Sequence, residues 1–126
     1  MNGLIKAIIA LCILDSIYLK STGTMYGTII QKIQNNKLNI RLYSVFIVYI
    51  LIFAMWVVFI YNERYKFTLK QNVIRGALLG LTTYGIFDFT NHAIFNNWNL
   101  NIVVIDTLWG SILYGLITFL AIYTFY

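Results

Sequence analysis

The sequence predicts an all-α integral membrane protein, a bundle of four transmembrane helices with a short interfacial amphipathic helix between spans one and two. The first observation behind this prediction is composition: of 126 residues, 60% are hydrophobic and only 10% are charged. A soluble domain carries roughly 25% charged residues, so a disordered chain and an ordinary water-soluble enzyme are excluded. The second observation is a set of four long apolar stretches, and the third is one long polar connection with helical periodicity.

The four apolar stretches cover about residues 3–19, 42–61, 73–95 and 100–126, and they define a single membrane domain over residues 1–126. At about 1.5 Å per residue, the first is only just long enough to cross a hydrocarbon core of roughly 30 Å, and the others cross it fully. Backbone groups in lipid must bond within their own segment, and these stretches are apolar on all sides. We therefore expect helices rather than strands.

The polar connection between the first two spans contains a repeating apolar pattern. Its apolar residues are Met25, Tyr26, Ile29, Ile30 and Ile33, and they lie opposite Gln31, Lys32 and Gln34. This spacing predicts an amphipathic helix over about residues 24–34, lying in the headgroup region.

Charge bears on orientation and partners. Four spans put both termini on one face, side A, together with the connection between spans two and three; the other two connections lie on side B. Five basic residues fall on side A (Lys6, Arg64, Lys66, Lys70 and Arg75) and four on side B (Lys20, Lys32, Lys37 and Arg41). The positive-inside rule favours cytoplasmic termini by this one residue. The net charge of +5 is spread beside apolar stretches, which predicts attraction to bilayer headgroups and no nucleic-acid binding.

Three of the four acidic residues, Asp15, Asp88 and Asp106, fall inside predicted spans. A charge at the bilayer centre costs roughly 2.5–3.5 kcal/mol, so acids at such positions call for a physical reason. Counting residues from the ends of the spans puts all three about 6–10 Å inside the side-B boundary. Because no Lys or Arg lies at that depth, we expect a shared site that binds protons, a cation or a small polar ligand.

Further residues share helix faces with these acids. The predicted site consists of Asp15, Tyr18, Tyr84, Asp88, Asn91, His92, Asp106 and Trp109. Small residues predict close helix packing at Gly76, Gly80, Gly110, Ser111 and Gly115. The same small residues would allow two copies of the chain to pack together, so a homodimer is a further prediction.

Three functions remain open. A protonatable cluster favours transport or a channel. Alternatively, Asp15, Asp88 and Asp106, with Asn91 and His92, offer ligands for a divalent ion such as magnesium, which would permit chemistry on a lipid phosphate. No phosphate-cradling glycine loop or nucleophile–base pair accompanies them, so an enzyme is the weaker expectation and no cofactor is predicted. The third interpretation is a structural or partner-binding role, since buried acids can hydrogen-bond helices together.

Two motifs carry a family resemblance. Y-x-x-F-D-x-T-N begins at Tyr84, and D-x-x-W-G begins at Asp106. With Asp15 ahead of them, this order resembles the bacterial family of predicted four-span membrane proteins called domain of unknown function 2177. The resemblance puts family motif residues at Asp15, Tyr84, Asp88, Thr90, Asn91, Trp98, Asp106, Trp109 and Gly110. It implies no assigned activity, only an association with membrane-lipid-modifying genes, and the chain departs from the pattern at Tyr18, where tryptophan is common.

Overall fold

A computed structural model describes residues 2–126, and every regular element in that range is helical. The long helices are α1 (Gly3–Gln34), α2 (Leu42–Trp56), α3 (Leu69–Ile94) and α4 (Leu100–Ile122). A π-helical turn (Val57–Tyr61) continues α2, and short 3-10 turns follow at Arg64–Lys66 and Tyr123–Phe125. The predicted all-α helical bundle is therefore confirmed.

Polar caps explain where three of the helices begin. The Asn2 side chain accepts from the backbone N–H of Leu4, and the Asn99 side chain accepts from that of Ile102. Thr68 and Gln71 form a reciprocal capping box at the start of α3. These bonds satisfy N–H groups that have no partner within the helix. The capping box starts α3 four residues before the expected start of the third span.

α1 corrects the prediction of a separate interfacial helix. It is one continuous helix of 32 residues that runs through Lys20 and ends where Asn35 adopts a left-handed conformation (φ 58°). The prediction of a break was wrong because a polar stretch need not end a helix, and a helical glycine such as Gly23 costs only about 1 kcal/mol. At about 1.5 Å per residue, α1 is about 48 Å long, well beyond a hydrocarbon core.

The apolar face of the amphipathic segment packs against protein. Ile29 is buried in a cluster with Trp98, Ile102 and Val103, at the start of α4. Met25, Tyr26, Ile30 and Ile33 surround this cluster. The segment therefore covers the end of the bundle where α4 begins, called the side-B end below, so the expectation that its apolar face meets the headgroup region is corrected.

α3 and α4 form the closest helix pair, and glycines explain why. A Cβ on Gly80 would meet the Gly110 carbonyl oxygen, and a Cβ on Gly110 would meet the Tyr84 ring. A Cβ on Gly76 would meet the Thr118 side chain. The close packing predicted at these three glycines is therefore present in the structure.

The small residues Ser111 and Gly115 of α4 pack less closely than Gly76, Gly80 and Gly110. A Cβ on Gly115 would lie 3.6 Å from Ala77 Cβ of α3, an ordinary contact distance, so Gly115 is less tightly packed than Gly80. Ser111 and Gly115 line a shallow surface groove between α3 and α4 together with Val73. They lie at the edge of the helix pair rather than at its closest approach.

α4 is the central helix, and both α1 and α3 run antiparallel to it. Gly3 of α1 packs against Ala121 at one end, and Ile29 packs against Ile102 at the other. This antiparallel register brings Asp15 and Tyr18 of α1 beside the N-terminal half of α4.

α2 lies at the periphery. Its buried residues cluster at the π-helical turn, where Trp56, Ile60 and Tyr61 all face inward. A π turn has i→i+5 bonding, seen here between Asn62 N and Val57 O at 2.9 Å, and it brings an extra residue onto the inner face. Outward residues such as Leu42 (78% exposed) and Phe46 (68%) are large and apolar.

Two helical stretches are long and apolar enough to cross a membrane, Leu42–Lys66 and Leu100–Phe125. α1 and α3 lack that uniform hydropathy because they carry internal charges such as Asp15, Lys20, Arg75 and Asp88.

Candidate functional site

Asp106 anchors the first part of a buried polar network. The Tyr18 hydroxyl of α1 donates to Asp106 Oδ1 at 2.9 Å, across the α1–α4 interface. The Tyr26 hydroxyl lies 3.0 Å from the Tyr18 hydroxyl. Because Tyr18 already donates its proton to Asp106, Tyr26 is the donor in that second bond. The result is a chain of three oxygens that ends on a carboxylate, and the Tyr26 hydroxyl also lies close to that carboxylate.

Asp15 is the centre of the second part. Trp109 Nε1 of α4 donates to Asp15 Oδ1 at 3.0 Å, and the Tyr49 hydroxyl of α2 donates to Asp15 Oδ2. Both carboxylate oxygens therefore have a neutral donor. The Asp15 side chain therefore links α1, α2 and α4.

A pair of aromatic rings joins these two parts. The Tyr18 and Trp109 rings are stacked, with centroids 4.7 Å apart and planes within 6°. Tyr18 binds Asp106 while Trp109 binds Asp15, so the stack connects the two carboxylates through rigid side chains. The predicted proximity of Asp15, Tyr18, Asp106 and Trp109 is present in the structure.

Asp88 lies on α3 beside Asp106. Its side chain is 0% exposed, whereas Asp15 and Asp106 are each 7% exposed. Trp98 Nε1 donates to Asp88 Oδ1 at 3.3 Å, and the Asp88 carboxyl lies within hydrogen-bonding reach of the Asp106 carboxyl. The second oxygen, Oδ2, is buried and has no hydrogen-bond partner within residues 2–126. It is the one carboxylate oxygen of the network that combines full burial with this lack of a partner.

The donors to the three aspartates are all neutral. In the chain from Asn2 onward, the only salt bridge joins Lys66 and Glu63, at the other end of the bundle. Carboxylates that lose water need either a counter-charge or a proton, because desolvation disfavours the charged form. The electrostatic environment of this network offers no counter-charge.

Three predicted site residues do not bond to the acids. His92 is exposed, and its Nδ1 lies 2.6 Å from the Trp98 carbonyl oxygen, so it shapes the turn that holds Trp98. The Asn91 carbonyl oxygen accepts from Phe95 N at the end of α3. Tyr84 packs against Gly110, with its ring edge-on to Tyr114. These three residues support the site rather than complete it.

Three residues of the network were not among the predicted site residues. Tyr49 lies in the uncharged second stretch, where a tyrosine is expected to face lipid, so no sequence signal could have found it. Tyr26 belongs to the apolar pattern of residues 24–34, but that pattern predicted that its side chain faces the headgroup region. Trp98 was a motif residue of the family resemblance, and its 6% exposure differs from that of a membrane-interface anchor.

The metal hypothesis is not supported by this geometry. In the described part of the chain, no three His, Cys, Asp or Glu side chains are grouped so that they could hold one metal ion. This contradicts a divalent-ion site formed by Asp15, Asp88 and Asp106, because Asp15 faces Tyr49 and Trp109 while Asp88 faces Asp106. The three aspartates therefore do not supply the ligands for a magnesium ion that would act on a lipid phosphate.

Comparison with known proteins gives one match. A family model described as "Predicted membrane protein (DUF2177)" matches residues 2–123, nearly the whole chain. No curated protein and no solved structure matches the chain significantly. The match agrees with the resemblance carried by the Tyr84 and Asp106 motifs.

Proposed function

This chain belongs to the DUF2177 family of predicted membrane proteins, and on that premise we propose that it is a proton-binding, multi-pass membrane protein. The proton is held by the buried Asp88–Asp106 carboxyl pair. Proton-coupled transport is the activity that such a pair serves best, because intramembrane acids commonly form proton relays.

Four spans are part of this proposal. The outward residues of α1 and α3 are apolar, with Ile17 59% exposed and Ile86 71% exposed, while the acids of these helices are buried. A helix with an apolar outside and a polar inside suits a position between lipid and bundle interior. Four spans in turn put both termini on the same side of the membrane, and the five-to-four split of basic residues leans toward the cytoplasm.

The single observation that carries the proton proposal is the orphaned Oδ2 of Asp88. A fully buried acceptor with no partner is costly, by about 1–3 kcal/mol. A proton on the Asp88 carboxyl turns that oxygen into a donor toward the neighbouring Asp106 carboxyl. One shared proton thereby satisfies the orphaned atom and removes the repulsion between two adjacent negative charges.

The test measures proton flux through purified protein in liposomes, with a pH-sensitive dye inside. We expect a flux in the intact protein that Asp88→Asn and Asp106→Asn abolish. Glu63→Gln is the matched control, because it makes the same acid-to-amide change at an exposed ion pair away from the site. A flux that survives both aspartate changes, or no flux in any gradient, would overturn the proposal.

A structural role is a second candidate for Asp15, favoured by its bonds to both Tyr49 and Trp109. Interhelical hydrogen bonds of this kind contribute about 0.6–2 kcal/mol each in membranes. We expect Asp15→Asn to lower the free energy of unfolding by roughly that amount while proton flux persists. A complete loss of flux in a folded Asp15→Asn protein would instead assign Asp15 to the proton site.

A further inference from the structure

We infer that the Tyr26 and Tyr18 hydroxyls relay protons between the side-B aqueous phase and Asp106. The inference rests on the proposed proton-binding function and adds its route and direction of access. It is carried by the chain of oxygens Tyr26–Tyr18–Asp106, in which the two donor–acceptor distances are 3.0 and 2.9 Å. Both distances lie within the range for O–H···O bonds or at its edge.

The position of Tyr26 makes it the outer end of this chain. It is half-buried, and its ring lies 6.2 Å from the Trp98 ring at the α3–α4 connection. Next to it, a Cβ on Gly27 would have nothing within 4 Å, so the helix surface beside Tyr26 is open. Tyr26 therefore lies nearer than Tyr18 to the end of the bundle where α4 begins, beside a helix surface that is open at Gly27.

The continuity of α1 is what creates this arrangement. Tyr18 and Tyr26 lie eight residues apart on one unbroken helix, so their relative position is set by helix geometry rather than by a flexible connection. Ile29 anchors the same segment against Ile102 and Val103. A separate helix lying on the membrane surface would not hold the Tyr26 hydroxyl against that of Tyr18.

The transfer conserves both phenols. A hydronium ion gives a proton to Tyr26 Oη, the Tyr26 proton moves to Tyr18 Oη, and the Tyr18 proton moves to Asp106 Oδ1. Three O–H bonds form and three break, one water molecule is left behind, and one proton is gained by the carboxyl pair. Once the new proton has moved from Asp106 Oδ1 to the Asp88 carboxyl, rotation of the two hydroxyls restores the starting hydrogen bonds.

Apart from Asp15, whose two oxygens already accept from Trp109 and Tyr49, the surroundings of the pair within residues 2–126 contain no competing base. The titratable groups that face it are Tyr18 and Tyr26 from α1 and, further along, Asp15 from α1, Tyr49 from α2 and Tyr84 from α3. His92 of α3 points to the Trp98 carbonyl oxygen instead. The two tyrosines are therefore the hydroxyls that connect Asp106 to the side-B end.

The test follows the carboxylic acid C=O band by time-resolved infrared spectroscopy after a pH jump, with the band assigned by Asp88→Asn and Asp106→Asn. Tyr26→Phe keeps the ring that packs near Trp98 and removes only the hydroxyl. We expect it, and Tyr18→Phe, to slow protonation by about tenfold or more with the final band amplitude unchanged, which corresponds to about 1.4 kcal/mol in the barrier. Tyr43→Phe is the control, because Tyr43 is 67% exposed on α2 and should react at the unsubstituted rate.

The outcomes separate the relay from the function on which it rests. An assigned band that appears at an unchanged rate in both tyrosine variants overturns the relay and leaves the proton-binding pair intact. An amplitude that falls with the rate also overturns it, because the hydroxyls would then stabilise the carboxyl rather than conduct. A missing band in the intact protein overturns the proton pair itself.

A measurement without any substitution covers the case in which a variant does not fold. Protonation of the intact protein in D₂O should be slower by more than the change in deuteron diffusion, since three O–H bonds break in the relay. A rate that scales with diffusion alone counts against the relay.

Discussion

The two ends of the bundle each bury polar groups, but they satisfy them differently. At the side-A end Asn72 is 0% exposed, and its amide group donates to the Arg64 carbonyl oxygen and the Tyr126 hydroxyl. Its carbonyl oxygen accepts from Arg75 Nη1 at 3.1 Å. A neutral side chain with both donors and acceptors used is a stable solution in a low-dielectric interior.

The side-B end buries acids among neutral donors and leaves Asp88 Oδ2 without a partner. The Arg64 guanidinium, 4.0 Å from the Tyr61 ring centroid at side A, lies at the opposite end of the bundle from the three buried acids. Burial alone therefore does not mark a functional site. The buried Arg64 Nε at the side-A end also lacks a partner among the described residues, but it is a donor and cannot take up a proton. A buried carboxyl oxygen without a partner can take up a proton, whereas a saturated amide such as Asn72 holds the fold together.

The largest expected effect comes from the helix pair that supports both ends. In Gly80→Val the new side chain would collide with the Gly110 backbone, so α3 and α4 must separate. We expect a loss of about 3 kcal/mol in the free energy of unfolding, at the upper end for overpacking. Unfolding in mixed detergent micelles measures it, with Gly23→Ala as control because Gly23 faces open space. Equal stability of the two variants would contradict the packing argument.

The next largest loss of stability is expected at Asn72, whose side-chain polar atoms are all hydrogen-bonded. Asn72→Ala removes one hydrogen-bond partner each from Arg64 O, Tyr126 Oη and Arg75, although the Tyr126 hydroxyl still donates to Arg64 O, and we expect a loss of about 2–3 kcal/mol. Proton flux per folded molecule should be unchanged, because the change lies at the opposite end from Asp88. Measuring stability and liposome flux on the same preparation checks both expectations. A flux defect with normal stability would erase the distinction between the two ends.

A smaller effect is expected where the indole of Trp98 meets Asp88. Trp98→Phe keeps a ring in the pocket beside Ile29 and Ile102 but removes the donor to Asp88 Oδ1, which lies 3.3 Å from Nε1. The expected loss of stability is about 1 kcal/mol. The carboxyl C=O band should shift in frequency because one hydrogen bond is lost. An unshifted band would show that the indole does not act on the carboxyl.

The smallest effect belongs to the exposed ion pair. Glu63→Gln breaks the contact with Lys66, whose side chain is 68% exposed, and solvent-exposed pairs contribute less than about 1 kcal/mol. We expect a change in unfolding free energy below about 0.5 kcal/mol and no change in flux. A large change in either quantity would mean that acids outside the buried network matter as much as those within it.

Residue counting predicted the helical class and which side chains lie near one another, but not the hydrogen bonds between them. Asp15, Asp88 and Asp106 were expected at one depth, and they lie at one level of the bundle, where Asp15 meets Trp109 and Asp106 meets Tyr18 and Asp88. The separation of the network into an Asp15 part and an Asp88–Asp106 part was not predictable, because it depends on which way each helix is turned. The continuity of α1 was also missed, since polarity predicts exposure to water and not the end of a helix.

The amino-acid sequence is enough to give the helical class, the apolar outer surface and a common level of the three acids along the helices. That level follows from residue numbers because a helix advances by a constant distance of about 1.5 Å per residue. Tertiary packing sets the contacts: Tyr49 reaches Asp15, Tyr26 joins Tyr18, and Asp88 keeps one unpartnered oxygen. These contacts depend on the rotation of each helix about its axis, where one residue changes the direction of a side chain by about 100°. That rotation is set by packing, above all by the close approach of α3 and α4 at Gly80 and Gly110.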